Sequence, residues 1–163
     1  MPSTLRMFSL TALAAFITGC SVSMPFKWVD GLSHQQGIDN GTSHEQLIVA
    51  ITHASVDADK RKSFDESAYR VLDSLPSQSG LVGYSVRRQL FGNEVWTATV
   101  WTDEASIQRF VRSAAHAQGV AKSGSAVQHI QYTRLNIRRD ELPINWGRLL
   151  EAVEAKEHAA GAS

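Results

Sequence analysis

The chain has 163 residues, of which 43% are hydrophobic and 20% charged, a composition that supports one packed domain and excludes a chain disordered throughout. Lys and Arg together number 16, as do Asp and Glu, so the net charge is zero and gives no reason to expect binding to nucleic acid or an acidic membrane face. Cys20 is the single cysteine, which excludes an internal disulfide and a cysteine-rich metal site.

The amino-terminal segment has the layout of an export signal. Arg6 precedes an uncharged, mostly apolar run from Met7 to Thr18. As a helix this run is about 18 Å long, too short for a hydrocarbon core of about 30 Å. Its length is typical of the apolar region of a signal peptide. An unrelated leader, with translation starting at Met24, is the alternative.

The end of this run, Ile17-Thr18-Gly19-Cys20, resembles a bacterial lipobox. The resemblance implies that residues 1–20 are a signal peptide with lipobox and that Cys20 is lipidated and becomes the first residue. Ser21 follows, rather than Asp, which implies a protein of the cell envelope anchored to the outer membrane and facing the periplasm. An ordinary export signal without lipidation remains open.

Residues 21–45 are rich in Ser, Gly, Gln, Asn and His and show no apolar periodicity, so we predict a flexible tether. Phe26 and Trp28 could dock on the domain that follows. His34 and His44 also lie here, but two histidines in a flexible segment are more typical of solvated side chains than of a metal site, and no metal is predicted.

Residues 46–139 contain six predicted elements. Hydrophobic periodicity predicts strands over residues 46–54, 81–90 and 93–101 and a last strand near 126–139. It predicts an amphipathic helix over about 59–75 and a second helix that begins at a cap formed by Thr102 or Asp103. The second helix ends near His116, before a turn at Gly119–Gly124. Its buried stripe consists of Ile107, Phe110, Val111 and Ala114.

The order β-α-β-β-α-β is typical of the ferredoxin-like α+β fold, an antiparallel sheet with helices on one face. The strand period places Trp96 and Trp101 on opposite faces, and neither face of that strand is charged. We therefore expect a homodimer in which two sheets cover each other as a dimeric α/β barrel. Residues 140–163 are predicted to form an extra C-terminal helix and tail, with the helix packed on the partner or the barrel edge.

Several of these residues also follow the pattern of a known family. The hairpin strand that ends Val100-Trp101, the following Thr102-Asp103-Glu104-Ala105, Phe110 and Ser113-Ala-Ala-His116 resemble the antibiotic biosynthesis monooxygenase (ABM) family of dimeric α/β barrels. Leu142-Pro143 followed by Trp146 is similar to the C-terminal part of monooxygenase-like domains that are related to spheroidene monooxygenase. The resemblance covers about residues 46–155 and implies the same fold.

The resemblance also implies a pocket between the helices and the sheet. Its candidate residues are His116, as a proton shuttle or a ligand of haem iron, Trp101, as an aromatic wall, Tyr84 and Arg87, whose guanidinium could hold an enolate or a carboxylate. His53 is a further polar candidate. Each also has an ordinary structural role open to it: a helix cap, a core side chain or a solvated strand end.

The implied function is an ABM-like monooxygenase that acts on a small aromatic or polycyclic molecule without a cofactor, or with haem. The alternative is a non-catalytic, envelope-anchored module of the same fold that binds a ligand or a partner, so whether the chain is an enzyme stays open. The expected partners are a second copy and a small molecule, with no nucleic acid and with the membrane contacted through the lipid anchor only.

Overall fold

The computed structural model describes residues 20–29 and 44–161; most of the predicted signal peptide and His34 lie outside them. Six strands and four helices follow in chain order: β1 (Ser21–Ser23), β2 (Lys27–Trp28), β3 (Gln46–Val56), α1 (Arg61–Ser74), β4 (Leu81–Gln89), β5 (Glu94–Trp101), α2 (Glu104–Val111), α3 (Ala114–Ser123), β6 (Val127–Arg138) and α4 (Trp146–Gly161).

The strands form one antiparallel sheet in the order β1-β4-β5-β3-β6, with β2 also paired to β4. At its centre Ile51 of β3 lies opposite Ala98 of β5 and Thr133 of β6. The predicted ferredoxin-like order is confirmed by this arrangement. None of the described helices has the length and hydropathy needed to cross a membrane.

The helices α1 and α2 pack on one face of the sheet, which we call the helix face. Leu75 at the end of α1 and Ile107 and Phe110 of α2 surround Trp101, whose side chain is 0% exposed. Trp96 lies on the opposite face, where its ring stacks on His53 at 4.8 Å. The predicted separation of the two tryptophans is confirmed.

The second predicted helix is in fact two helices. After α2 the chain turns at Arg112, and the Ser113 side chain accepts a hydrogen bond from the His116 backbone N–H at 3.3 Å to cap a new helix. His116 therefore lies in the first turn of α3, and the prediction that it lies at the C-terminal end of a helix is wrong. The apolar period predicts one continuous helix through Ser113, whereas the Ser113 hydroxyl competes for the backbone N–H groups.

Gly119 was predicted to open a turn but is buried in the middle of α3. A Cβ at this position would lie 2.3 Å from Cγ2 of Val71 in α1, a distance no side chain tolerates. Glycine is needed here because it lets α1 and α3 approach closely.

The face opposite the helix face, which we call the second face, is covered by the same chain. Leu149 and Val153 of α4 are each 3% exposed and pack in one cluster with residues of the central strands, including Val49 and Val100. The prediction that the C-terminal helix packs on a partner or a barrel edge is therefore wrong. An amphipathic helix close in sequence to the sheet it covers needs no second chain to bury its stripe.

Residues 20–29 also differ from the predicted flexible tether, because they pair with the outer edge of β4. Ser21 lies opposite Gln89, and Lys27 opposite Tyr84. Phe26 and Trp28 make an edge-to-face contact at 5.0 Å and pack against the cluster of the second face. The docking of these two aromatic residues is confirmed, and it anchors a segment whose composition is typical of a loop.

A buried hydroxyl on the second face connects β4, the amino-terminal segment and the start of α4. Ser85 of β4 is 2% exposed; it donates to the Met24 carbonyl at 2.6 Å and accepts from Trp146 Nε1 at 3.0 Å. We expect Ser85→Ala to lower the free energy of unfolding by about 1–3 kcal/mol, because it leaves two partly buried partners, the Met24 carbonyl and Trp146 Nε1, without this hydrogen bond. Guanidinium unfolding followed by tryptophan fluorescence measures the loss, and Ser77→Ala, at an exposed serine, is the control, which should change little.

Candidate functional site

A cavity opens between α1, α3 and the helix face of the sheet, and we call it the main cavity. Its volume is about 800 Å³ when the space open to solvent is included. Apolar side chains of the helices form its walls, and hydroxyl-bearing residues of the strands form its floor. Its lining residues are Thr52, Phe64, Ser67, Ala68, Val71, Leu72, Leu75, Thr97, Thr99, Phe110, His116, Gly119, Val120, Ser123, Ile130 and Tyr132.

The floor of the main cavity has a threonine hydroxyl that the core holds in place. Trp101 Nε1 donates to Thr99 Oγ1 at 2.8 Å, and that hydroxyl donates to the Ala50 carbonyl at 3.3 Å. Thr52 and Thr97 lie directly opposite each other across β3 and β5 on the same floor. The arrangement gives a ligand hydroxyl or carbonyl fixed polar partners on an otherwise apolar surface.

Among the described residues that line this cavity, His116 is the one whose ordinary pKa lies nearest to neutral. Its Nδ1 lies 3.1 Å from the Val111 carbonyl, so Nδ1 carries the proton and donates it, and the neutral ring leaves Nε2 as an acceptor. Phe110 meets the imidazole edge to face at 5.0 Å. Burial lowers the pKa of His116, and the bond to Val111 opposes this only in part. The ring is therefore set as a neutral base.

A second, mostly apolar cavity of about 660 Å³ adjoins the first, again counting space open to solvent. The two share walls formed by Phe64, Ala68, Leu72 and Thr97. The amino-terminal segment contributes Val22 and Met24 to the wall of the second cavity, and its remaining lining residues are Arg61, Asp65, Tyr69, Val86, Arg88 and Val95.

The structure brings only one of the four predicted catalytic residues to the main cavity, namely His116. Trp101 and Tyr84 belong to the buried cluster of the helix face and do not line the cavity. The pocket predicted from Trp101, His116 and Tyr84 together is thus not formed. The Trp101 side chain has no exposed surface and cannot touch a ligand. It contributes indirectly, because its indole N–H holds the Thr99 hydroxyl on the floor of the cavity.

Arg87 and His53 lie on the second face, away from this cavity. The Arg87 guanidinium donates to Ser23 Oγ at 3.0 Å, and in the sheet Trp96 stands between Arg87 and His53. His53 Nε2 lies 2.5 Å from the Glu94 carboxylate. The first contact fastens the amino-terminal strand to β4 and the second joins β3 to β5, so Arg87 is not placed to hold an enolate in the main cavity.

Thr52, Thr97, Thr99 and Tyr132 were not predicted as site residues. The signal for two of them was present, because the period of two places Thr97 and Thr99 on the same side of β5 as Trp101. Tyr132 could not be found in this way, since the strand order that brings β6 beside β3 depends on long-range pairing.

Within residues 20–29 and 44–161, no group of three or more His, Cys, Asp or Glu side chains is close enough to hold a metal ion. Haem would find one iron ligand in the main cavity, His116 Nε2. The carboxylates of haem need cationic partners, yet the described residues that line this cavity include no Lys or Arg. The residues fit haem poorly.

Comparison with known proteins agrees with this architecture. Residues 47–122 match the family model described as antibiotic biosynthesis monooxygenase. No curated protein matches the sequence. The matched segment runs from β3 to α3 and includes His116, so the chain contains an ABM-like domain.

Solved structures support the same fold. A candidate monooxygenase from Lactobacillus acidophilus has a TM-score of 0.53 at 11% identity, over 60% of this chain and 47% of its own, so this chain spans about half of that protein. A candidate antibiotic biosynthesis monooxygenase from Nitrosomonas europaea scores 0.52 at 12% identity, over 63% of this chain and 96% of its own. A conserved protein from Methanosarcina mazei scores 0.51 at 15% identity, over 59% and 95%. Identities this low show the fold alone.

Proposed function

We propose that the domain binds a small aromatic molecule in the main cavity and oxygenates it without a bound cofactor. The single observation that carries this proposal is His116, a neutral base at the edge of an apolar, hydroxyl-floored cavity in an ABM-like fold. Phe64 and Phe110 line the same cavity and offer ring faces for a planar ligand.

The chemistry asks little of the protein beyond a base and a dry enclosure. The substrate is a phenol whose keto tautomer carries a ring CH₂ group. His116 Nε2 takes one proton from this CH₂, and the electron-rich phenolate that results passes an electron to O₂. The two radicals combine at the same carbon, now CH, to give a peroxide that takes the proton back from His116. The hydroperoxide then loses the remaining hydrogen of that carbon and its terminal hydroxide as water, which leaves a carbonyl. The balance is CH₂ + O₂ → C=O + H₂O, and the substrate supplies every electron.

A non-catalytic binding module is the second candidate. It is favoured by the polar groups of the main cavity, since those described are hydroxyls apart from His116 and no carboxylate is among them. Such a set can orient a ligand but offers few ways to move more than one proton. The same cavity would then bind an aromatic molecule without consuming oxygen.

An oxygen electrode with a panel of electron-rich phenols tests the proposal. Ala68 lines both cavities, so Ala68→Phe should fill them and reduce uptake by at least about tenfold, since productive binding is lost. Ala121→Phe, at an exposed position of α3, is the matched control and should retain activity. Binding without uptake supports the module. Uptake unchanged in Ala68→Phe would contradict the assignment to this cavity.

The address and the assembly of the domain are separate proposals. We propose that Cys20 carries a lipid and holds the protein at the outer membrane, facing the periplasm, because the lipobox-like residues precede an exposed cysteine. ABM-fold proteins are commonly dimeric, and a homodimer of this chain stays a prediction. Because α4 covers the second face, a partner would have to use another surface, such as the edge of β6, where Ile130 and Tyr132 are exposed.

A further inference from the structure

Cys20 is held at one end of the sheet, beside a hairpin loop. Its carbonyl accepts a hydrogen bond from the Leu90 N–H at 2.8 Å, and the next residue, Ser21, pairs with Gln89 at the end of β4. The loop that joins β4 to β5 therefore lies next to the residue proposed to carry the lipid. No linker separates Cys20 from the sheet, because the strand begins at the next residue.

The surface around this loop is apolar and exposed. Phe91 is 88% exposed, Leu90 50% and Val22 47%, and we call these three residues the apolar tip. Val22 belongs to it because it pairs with Arg88, two residues before Leu90. A short hairpin loop has no structural need for an exposed phenylalanine, and turn positions usually carry polar residues or glycine. Clustered apolar side chains of this kind mark a contact surface.

The groups next to the apolar tip suit a lipid headgroup layer. The Arg88 guanidinium is partly exposed, and its contact with the Asp65 carboxylate spans 3.7 Å, which is long for an ion pair. Arg61 donates to the Gly92 carbonyl at 3.2 Å in the same loop. Two guanidinium groups against one carboxylate leave a local positive charge, which anionic headgroups attract.

We propose that the apolar tip inserts into the membrane surface next to the lipid-modified Cys20, so that the domain rests on the bilayer by its hairpin end. The inference rests on the proposed lipidation of Cys20. The occupant is a bilayer because residues 7–18, the apolar run of the chain, lead directly to Cys20, and any membrane attachment made through that residue begins at the tip.

This orientation has a consequence for the two cavities. Val22 belongs both to the apolar tip and to the wall of the second cavity, so that cavity borders the membrane-facing end. The opposite end of β4, at Leu81, lies roughly 30 Å further from the membrane at about 3.3 Å per residue. An apolar ligand dissolved in the bilayer would meet the second cavity first.

Site-directed spin labelling of the full chain tests this orientation. The protein is produced in a bacterium, purified with its lipid and reconstituted in phosphatidylethanolamine–phosphatidylglycerol vesicles. Cys20 is the only native cysteine and its lipid blocks it, so Phe91→Cys takes the nitroxide. Ser79→Cys, exposed and close to the other end of β4, is the control. The label at 91 should collide with dissolved oxygen severalfold more than with a water-soluble nickel chelate, and the label at 79 should show the reverse.

The outcomes separate the two proposals. A label at 91 as accessible to nickel as the label at 79 overturns the docking, and mass spectrometry of Cys20 then shows whether the anchor stands without it. A free thiol at Cys20 overturns the lipidation and the docking with it. Leu90→Cys repeats the measurement at a less exposed position, so a folding defect specific to Phe91→Cys cannot decide the result. Neither outcome depends on turnover in the main cavity.

Discussion

Oxygen uptake should fall by roughly 10²–10⁴-fold when His116 is replaced by glutamine, the range that general base catalysis contributes. Glutamine is close in size to histidine and can still donate to the Val111 carbonyl, so it can keep the first turn of α3 while it removes the basic nitrogen. Ligand binding should therefore change much less than kcat. The matched control is His53→Gln, because His53 pairs with Glu94 on the second face and does not line the cavity.

The pH dependence gives the sharper readout. Burial lowers the pKa of His116 below its ordinary value of 6.5, so the neutral base is lost at a lower pH than for an exposed histidine. The rate should be flat at neutral and higher pH and decline as the pH falls through the lowered pKa. This acid limb should be absent in the residual activity of His116→Gln. An acid limb that survives the substitution would show that another group is the base.

The same group links pH to stability. Between the lowered pKa of folded His116 and 6.5, the unfolded chain binds more protons than the folded chain, so stability rises with pH across that window. Acidification through the window therefore removes stability, and below it the loss is complete. The difference in melting temperature between the wild type and His116→Gln should be constant at high pH and change as the pH falls through the window, where the wild type loses more stability than the variant.

The sequence predicted the order of strands and helices because hydrophobic period is a local property that each segment carries by itself. Ile51 and Ala98, for example, fall on one face of the sheet by counting residues, and the structure pairs them. His116 was found by a motif, which also depends only on spacing. What these signals could not predict is contact between segments distant in the chain, such as Tyr132 at the cavity or Met24 against Ser85.

Two local misreadings had a physical cause. Ser113 ends one helix and begins another because its hydroxyl caps a backbone N–H, and apolar period alone does not register that competition. Residues 20–29 were read as a tether because they lack a long periodic run, yet a short strand at a sheet edge gains its stability from the backbone bonds of β4 and from two docked aromatic residues. The composition of residues 20–29 does not reveal that β4, much later in the chain, offers an unpaired edge to them.

The expectation of a sheet-to-sheet dimer came from the same limitation. The two apolar faces are present as predicted, but the helix that covers the second face was predicted to lie on a partner or at the barrel edge. The apolar stripe of α4 contains Leu149 and Val153, and the short connection after β6 lets it fold back over its own sheet. What a helix covers is decided by the reach of its linker as much as by its pattern.

Leu149→Ala should lower the free energy of unfolding by about 2–5 kcal/mol, the cost of removing a fully buried leucine from a packed core. Leu149 is in contact with the cluster that includes Val49 and Val100, and guanidinium unfolding measures the loss. Leu150→Ala is the control, since the neighbouring leucine is only half-buried and should cost clearly less.

Leu149→Asp extends this test to the assembly. An unpaired carboxylate cannot stay under α4, so the helix should detach and expose the second face, and sedimentation should then show more self-association than the wild type has at the same concentration. If α4 instead covered the sheet of a partner, the wild type would sediment as a dimer and Leu149→Asp would convert it to folded monomers. The direction of the change therefore decides between a chain that covers its own sheet and one that needs a second copy.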